Sequence, residues 1–215
     1  MKKLLLLLSI FFLSFITYAD SNLIKITVPG HGIKNAIFSL PVGDKKYPAI
    51  VFMHGGSIRD KGVPVSSLNK RISSFTSLGF IVLAPVRSTK KGCCNGDDVI
   101  MEGIAIAKSS LQYLKSLHNV KKNKICLIGF SEGALISMWA MTQPNDFSSA
   151  IIMSPSNQCG MKRAGSKNYC GNKLINSGKV EQVKKISLLL LGIQKVERIL
   201  RLLPDYQKNS THNLK

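Results

Sequence analysis

The stretch Lys124-Ile125-Cys126-Leu127-Ile128-Gly129-Phe130-Ser131-Glu132-Gly133-Ala134-Leu135-Ile136-Ser137-Met138-Trp139 decides the architecture of this chain. Residues 125–128 are a short apolar run, and 124–128 read as a strand. Residues 132–141 carry a helical pattern. Between the two, Gly129-Phe130-Ser131-Glu132-Gly133 matches G-x-S-x-G. A serine on such a sharp strand-to-helix turn is held in a strained backbone with its hydroxyl exposed, and the glycines let strand and helix approach closely. The N-terminus of the helix also favours negative charge at that point. The bland alternative is a glycine-rich turn with an incidental serine; the strand running in and the helix running out favour the chemical reading.

On either side the same alternation of apolar runs and helical patterns continues, which predicts an α/β protein with a mostly parallel central sheet and helices on both faces. Residues 48–53 and 80–85 are apolar throughout and so predict central strands. The helix over 66–78 is stopped by Gly79. A stronger helix over 97–117 places Ile100, Ile104, Leu111 and Leu114 on one face. Residues 150–153 and 186–191 predict further strands. Residues 23–28 and 34–40 predict two antiparallel edge strands around Pro29-Gly30-His31-Gly32. Met101, Met138, Met141 and Trp139 read as core filler rather than a cofactor box, and no cofactor is expected. Residues 155–178 are polar, basic and rich in Gly, Ser and Asn. They predict an insertion over the sheet, too short for a core of its own, so residues 20–215 form one domain.

A second glycine-rich turn supports the first. The strand over 48–53 ends in His54-Gly55-Gly56-Ser57, whose backbone N–H groups, at Gly55 and Gly56, can join the N–H of Glu132 in stabilising an oxyanion formed when Ser131 attacks a carbonyl. His54 is expected to brace this turn rather than to act as the general base.

Composition sets the context. The chain has 215 residues, 45% of them hydrophobic, which excludes a disordered chain and suits a single domain. Lys2-Lys3, the apolar run 4–16 and Thr17-Tyr18-Ala19 read as a signal peptide over residues 1–19, implying a secreted or periplasmic product. The competing reading is a membrane anchor, but the run is shorter than the roughly 20 residues a spanning helix needs. No later segment is apolar and long enough to span. Lys+Arg number 30 against 11 Asp+Glu, a formal net charge of +19. The basic residues are spread along the chain without the spacing of a nucleic-acid motif, so no specific nucleic-acid partner is expected. A solvated basic surface, drawn to anionic envelope polymers or anionic substrates, is the simpler account. Cys126 lies in an apolar run and reads as a buried free thiol. Cys93, Cys94, Cys159 and Cys170 fall in polar loops where an oxidising compartment permits bridges, with Cys159 and Cys170 the first candidate pair. There is no CxxC and no histidine near these cysteines, so no metal site is expected.

With His54-Gly55-Gly56, the Asp97-Asp98 helix start, Lys124 through Ile128 and Gly129 through Gly133 in view, the chain resembles the α/β-hydrolase superfamily, closest to its dienelactone hydrolase-like and prolyl oligopeptidase-like serine branch. The resemblance spans residues 33–191. It implies the α/β-hydrolase fold and acyl transfer through Ser131 on a small-molecule ester or amide. Dienelactone hydrolases are expected to carry cysteine at the nucleophile position, so Ser131 favours esterase-like or peptidase-like chemistry.

A serine nucleophile needs a base and an orienting acid, in the chain order Ser, Asp/Glu, His. The resemblance places the acid after the strand ending at Leu191 and the histidine after one more helix and strand. Glu197 and Asp205 are the acid candidates, although Glu197 falls in a helical pattern over 195–203 and Asp205 also reads as a loop residue. His212 follows Ser131 as the candidate base, in a polar stretch, 204–215, that reads as a frayed tail. Beyond Gly192 the family's final strand and histidine loop are not recognisable. The expectation is therefore a fold lacking its last strand, and either a serine hydrolase with an unusual triad or a degenerate, C-terminally truncated relative that binds without catalysis.

Overall fold

The computed structural model describes residues 20–56, 65–87, 96–156 and 186–187. Among these, strands β1 (Asp20–Val28), β2 (Gly32–Leu40), β3 (Tyr47–Met53), β4 (Ile81–Pro85), β5 (Val120–Phe130), β6 (Ser149–Met153) and β7 (Ile186–Ser187) form one sheet in the order β1-β2-β4-β3-β5-β6-β7. Helices α1 (Val65–Ser77), α2 (Gly96–Ser116) and α3 (Glu132–Met141) connect them. Strands β4, β3, β5, β6 and β7 run parallel, whereas β1 and β2 form an antiparallel hairpin and β2 pairs antiparallel with β4.

The central strands are apolar on both sides because both sides are covered. Ala49, Val51 and Met53 of β3, with Ile81 and Leu83 of β4 and Ile125 and Leu127 of β5, pack with α2 and α3. The intervening Ile50, Phe52, Val82, Ala84 and Ile128 pack on the other face against Leu68 and Ile72 of α1. This division is the two-residue period of a strand applied to a sheet with helices on each face. The edge strand β1 shows the contrasting pattern: Ile26 and Val28 are buried while Lys25 and Thr27 are exposed.

On α2 the expected face is the buried one, with Ile100, Ile104, Leu111 and Leu114 turned inward. Helices α2 and α3 cross closely at Gly103, where a Cβ would sit 2.5 Å from Ile136 Cγ2. Lys34 of β2 reaches Glu102 of α2 across 2.5 Å, an ion pair largely removed from solvent. Helix α1 ends as expected at Gly79, at φ +87°, whose N–H donates to the Thr76 carbonyl at 2.9 Å.

Four expectations are corrected. Strand β2 is not an edge strand, because β4 pairs along its other side. Met101 is no core filler: it is 61% exposed, one position round the helix from Ile100, while Met138 and Met141 are buried. Strand β5 begins at Val120, four residues before the strand predicted over 124–128; Lys121, Lys122 and Lys124 point into solvent while Val120 pairs with Tyr47. Cys126 is half-buried rather than buried, a free thiol whose pKa burial pushes up. The rest of the strand predicted over 186–191, the insertion beyond Ser156, the tail over 204–215, residues 1–19 and Cys93, Cys94, Cys159 and Cys170 lie outside the described residues. Among the described residues, no helix is long and apolar enough to cross a membrane.

Candidate active site

Ser131 stands at the turn between β5 and α3, at φ 54° and ψ −117°. A non-glycine residue there is strained, and such strain persists only where surrounding structure imposes it. The imposing contacts are visible. The Ser131 N–H donates to the Met153 carbonyl at the end of β6 at 3.0 Å. Its carbonyl accepts from the N–H groups of Ala134, Leu135 and Ser156 at 3.1, 3.2 and 3.0 Å. The side chain is left partly exposed at the C-terminal ends of the parallel strands, where open α/β sheets bind ligands.

Both motif glycines are required by contact distances. A Cβ on Gly129 would lie 2.5 Å from the Gly133 carbonyl oxygen and 2.6 Å from Ala134 Cα. A Cβ on Gly133 would lie 2.1 Å from the Met53 carbonyl oxygen and 2.5 Å from that of His54. Helix α3 thus begins pressed against the end of β3. The same approach brings the His54-Gly55-Gly56 turn to the serine: a Cβ on Gly55 would be 3.3 Å from Ser131 Cβ, and one on Gly56 would be 3.0 Å from Glu132 Oε2. Ser131, Glu132, Gly55 and Gly56, which the sequence links only through a mechanism, are therefore neighbours in space.

His54 is almost completely buried, and both ring nitrogens face backbone groups. The Arg87 N–H donates to Nε2 at 3.2 Å, so Nε2 is the unprotonated nitrogen and Nδ1–H donates to the Gly55 carbonyl at 2.7 Å. Burial first, then the Arg87 charge and, more weakly, Arg71, lower its pKa to about 3. A neutral ring with its lone pair engaged by an amide holds the turn; it does not take a proton from Ser131. The other described histidines are remote. His118 follows α2 at the opposite end of the parallel strands, and His31 lies in the β1–β2 turn, with β2 three strands from β5. Glu197, Asp205 and His212 lie outside the described residues.

Sequence reasoning missed Arg87. It follows β4 directly, is 5% exposed, and pairs with Glu132 at 2.8 Å while also donating to the His54 carbonyl oxygen. The available signal was a cation placed at the carboxyl end of a wholly apolar strand, the end of the sheet where ligands bind.

No family model matches the chain. The uncharacterized peptidase YtmA of Bacillus subtilis (strain 168) is 32% identical over 98 residues, a match covering 46% of this chain and 37% of the relative. The chain thus spans less than two fifths of that protein's length. Among solved structures, the uncomplexed acylaminoacyl peptidase of Pyrococcus horikoshii superposes with a TM-score of 0.66 at 16% identity, over 93% of this chain and 37% of that one. A protein of Klebsiella pneumoniae described as a dienelactone hydrolase superposes with a TM-score of 0.60 at 12% identity, over 87% of this chain and 82% of its own. The chain has the α/β-hydrolase fold. Within that fold Ser131 stands at the turn from β5 into α3.

Proposed function

We propose that this α/β-hydrolase-fold chain is a serine hydrolase that cleaves an ester or amide through an acyl-enzyme on Ser131. The observation that carries the reading is the strained Ser131 backbone, clamped between two glycines that admit no side chain, with the His54-Gly55-Gly56 turn alongside. The Ser131 oxygen attacks the substrate carbonyl carbon, and its proton passes to a base. The negative oxygen so formed receives hydrogen bonds from the N–H of Glu132 and from the Gly55-Gly56 turn, donors fixed before the reaction begins. Collapse expels the alcohol or amine, which takes the proton from the base, and water then releases the acid by the same route in reverse. His212 is the candidate base, with Glu197 or Asp205 orienting it. The peptidase name of the Bacillus subtilis relative supports an amide substrate, and the departure from cysteine at position 131 supports ester or amide cleavage over dienelactone chemistry.

The N-terminal pattern over residues 1–19 supports export, with the mature chain beginning at Asp20 in the periplasm or outside the cell. The basic surface would then favour anionic substrates or envelope polymers.

Hydrolysis of a short activated ester and covalent labelling by a fluorophosphonate, each measured on the purified protein and its Ser131→Ala variant, test the reading. Turnover and label in the wild type, both lost on substitution, are expected. Equal behaviour of the two proteins refutes the nucleophile, and an absence of turnover and label in both assigns the fold a binding role.

A further inference from the structure

The donors proposed for the oxyanion come from two separate elements. The Gly55-Gly56 turn continues β3, and the Glu132 N–H opens α3 after β5. The parallel pairing of β3 with β5 ends at Met53 and Gly129, so the ladder stops before either donor is reached. A third strand supplies the connection. Arg87, directly after β4, sends Nη1 to Glu132 Oε1 at 2.8 Å and Nη2 to the His54 carbonyl oxygen, while its own N–H holds His54 Nε2 at 3.2 Å. One buried residue therefore grips both the turn and the first residue of α3.

Charge gives this connection a second consequence. The Glu132 carboxylate lies against Gly56, with Oε2 3.0 Å from where a Cβ would stand. A carboxylate beside a developing oxyanion raises the energy of the transition state, and a guanidinium bonded to that carboxylate offsets it. Planar, permanently charged and multidentate, arginine can do both tasks at once; lysine retains the charge and loses the fork.

Resting on the serine-hydrolase reading above, we propose that Arg87 is a positioning residue of that reaction. It fixes the His54-Gly55-Gly56 turn relative to the Ser131 elbow and neutralises Glu132 beside the oxyanion. It acts through those groups and does not itself meet the substrate.

The test compares wild type, Arg87→Lys, Arg87→Met, Glu132→Gln and the double variant Arg87→Met/Glu132→Gln. Each is measured for kcat and KM on an activated ester and for its rate of fluorophosphonate labelling, with far-UV circular dichroism and thermal unfolding alongside. A displacement of the turn by an ångström costs on the order of 100-fold in rate. Arg87→Met is expected to lose kcat on about that scale with KM nearly unchanged, because the clamp serves the transition state and not substrate docking. Removing the Glu132 charge beside the oxyanion in the double variant should return roughly a tenfold part of the loss, a rescue that a merely structural role would not produce. If Arg87→Met does not fold, Arg87→Lys decides, with kcat expected to fall roughly tenfold at constant KM for want of the second donor. Wild-type kcat in Arg87→Lys, or a double variant no faster than a folded Arg87→Met, overturns the proposal. Failure of the hydrolase reading is separately visible, as a wild type that neither turns over nor labels, and the proposal falls with it.

Discussion

Replacing Gly133 by alanine tests the close approach on which the site is built, because two physical effects predict opposite signs. Position 133 lies in the first turn of α3, and alanine is favoured over glycine in a helix by about 1 kcal/mol. Packing predicts the reverse. The new Cβ would lie 2.1 Å from the Met53 carbonyl oxygen, against a carbon–oxygen approach of about 3.3 Å, so the end of β3 and the start of α3 must part by roughly 1 Å. The obstructing atoms, the carbonyl oxygens of Met53 and His54 and the Met53 carbonyl carbon, are all backbone, and no rotamer change relieves them. Overpacking costs about 1–3 kcal/mol, and a clash with backbone alone falls in the upper part of that range, about 2–3 kcal/mol, so it outweighs the propensity gain by about 1–2 kcal/mol. For a chain of this length that is a fall in Tm of about 2–8 °C, read by thermal unfolding followed by circular dichroism. Turnover should suffer more than stability, since the motion separates the Gly55-Gly56 turn from Ser131 and misplacement by about 1 Å costs on the order of 100-fold. A Tm equal to or above that of the wild type would refute the contact argument.

Two further outcomes are expected. His54 is held at a pKa of about 3, below its ordinary 6.5. Above pH 6.5 the ring is neutral folded and unfolded; below it the unfolded chain takes up a proton that the folded ring refuses. Stability from this group is therefore lost as pH falls from about 6.5 toward 3, by about 1.4 kcal/mol per pH unit. The unfolding free energy of the wild type, measured by urea at pH 7.5, 6 and 5, should fall faster than that of His54→Gln, and parallel pH curves would refute the assignment. Lys34→Met removes the cation paired with the largely buried Glu102 carboxylate and should cost about 3 kcal/mol, with most of it regained in Lys34→Met/Glu102→Leu. Urea midpoints of the three proteins check this, and a double variant no more stable than the single one would count against it.

What could be read from the sequence was local. The strand before Ser131, the helix after it and the wholly apolar runs that became β3 and β4 follow from periodicity within a few residues. The lysine-rich start of β5 escaped because its side chains face solvent while its backbone pairs with β3 at Tyr47, a fact carried by the partner strand. The inner position of β2 was hidden for the same reason: Ser39 reads as a polar interruption, yet it is buried and accepts a hydrogen bond from Thr76 of α1 at 3.0 Å. In the candidate site, the proximity of Ser131 and Glu132 to Gly55 and Gly56 was legible because glycine and serine at fixed spacings have few physical explanations. Arg87 was not, because its partners lie 33 and 45 residues away and only the sheet order brings them together.

The pairing of β3 with β5 carries a consequence for quality control. Met53 faces Gly129 in the last rung, and the two loops that form the site leave immediately beyond it. Slipping β3 by a single residue would turn Val51 and Met53 to the opposite side of the sheet and carry the glycine turn past the serine. Few near-native arrangements of this sheet could then present a reactive serine. A covalent serine probe applied to newly made protein would count only correctly aligned molecules, so labelling stoichiometry would serve as an assay of strand alignment as much as of catalysis.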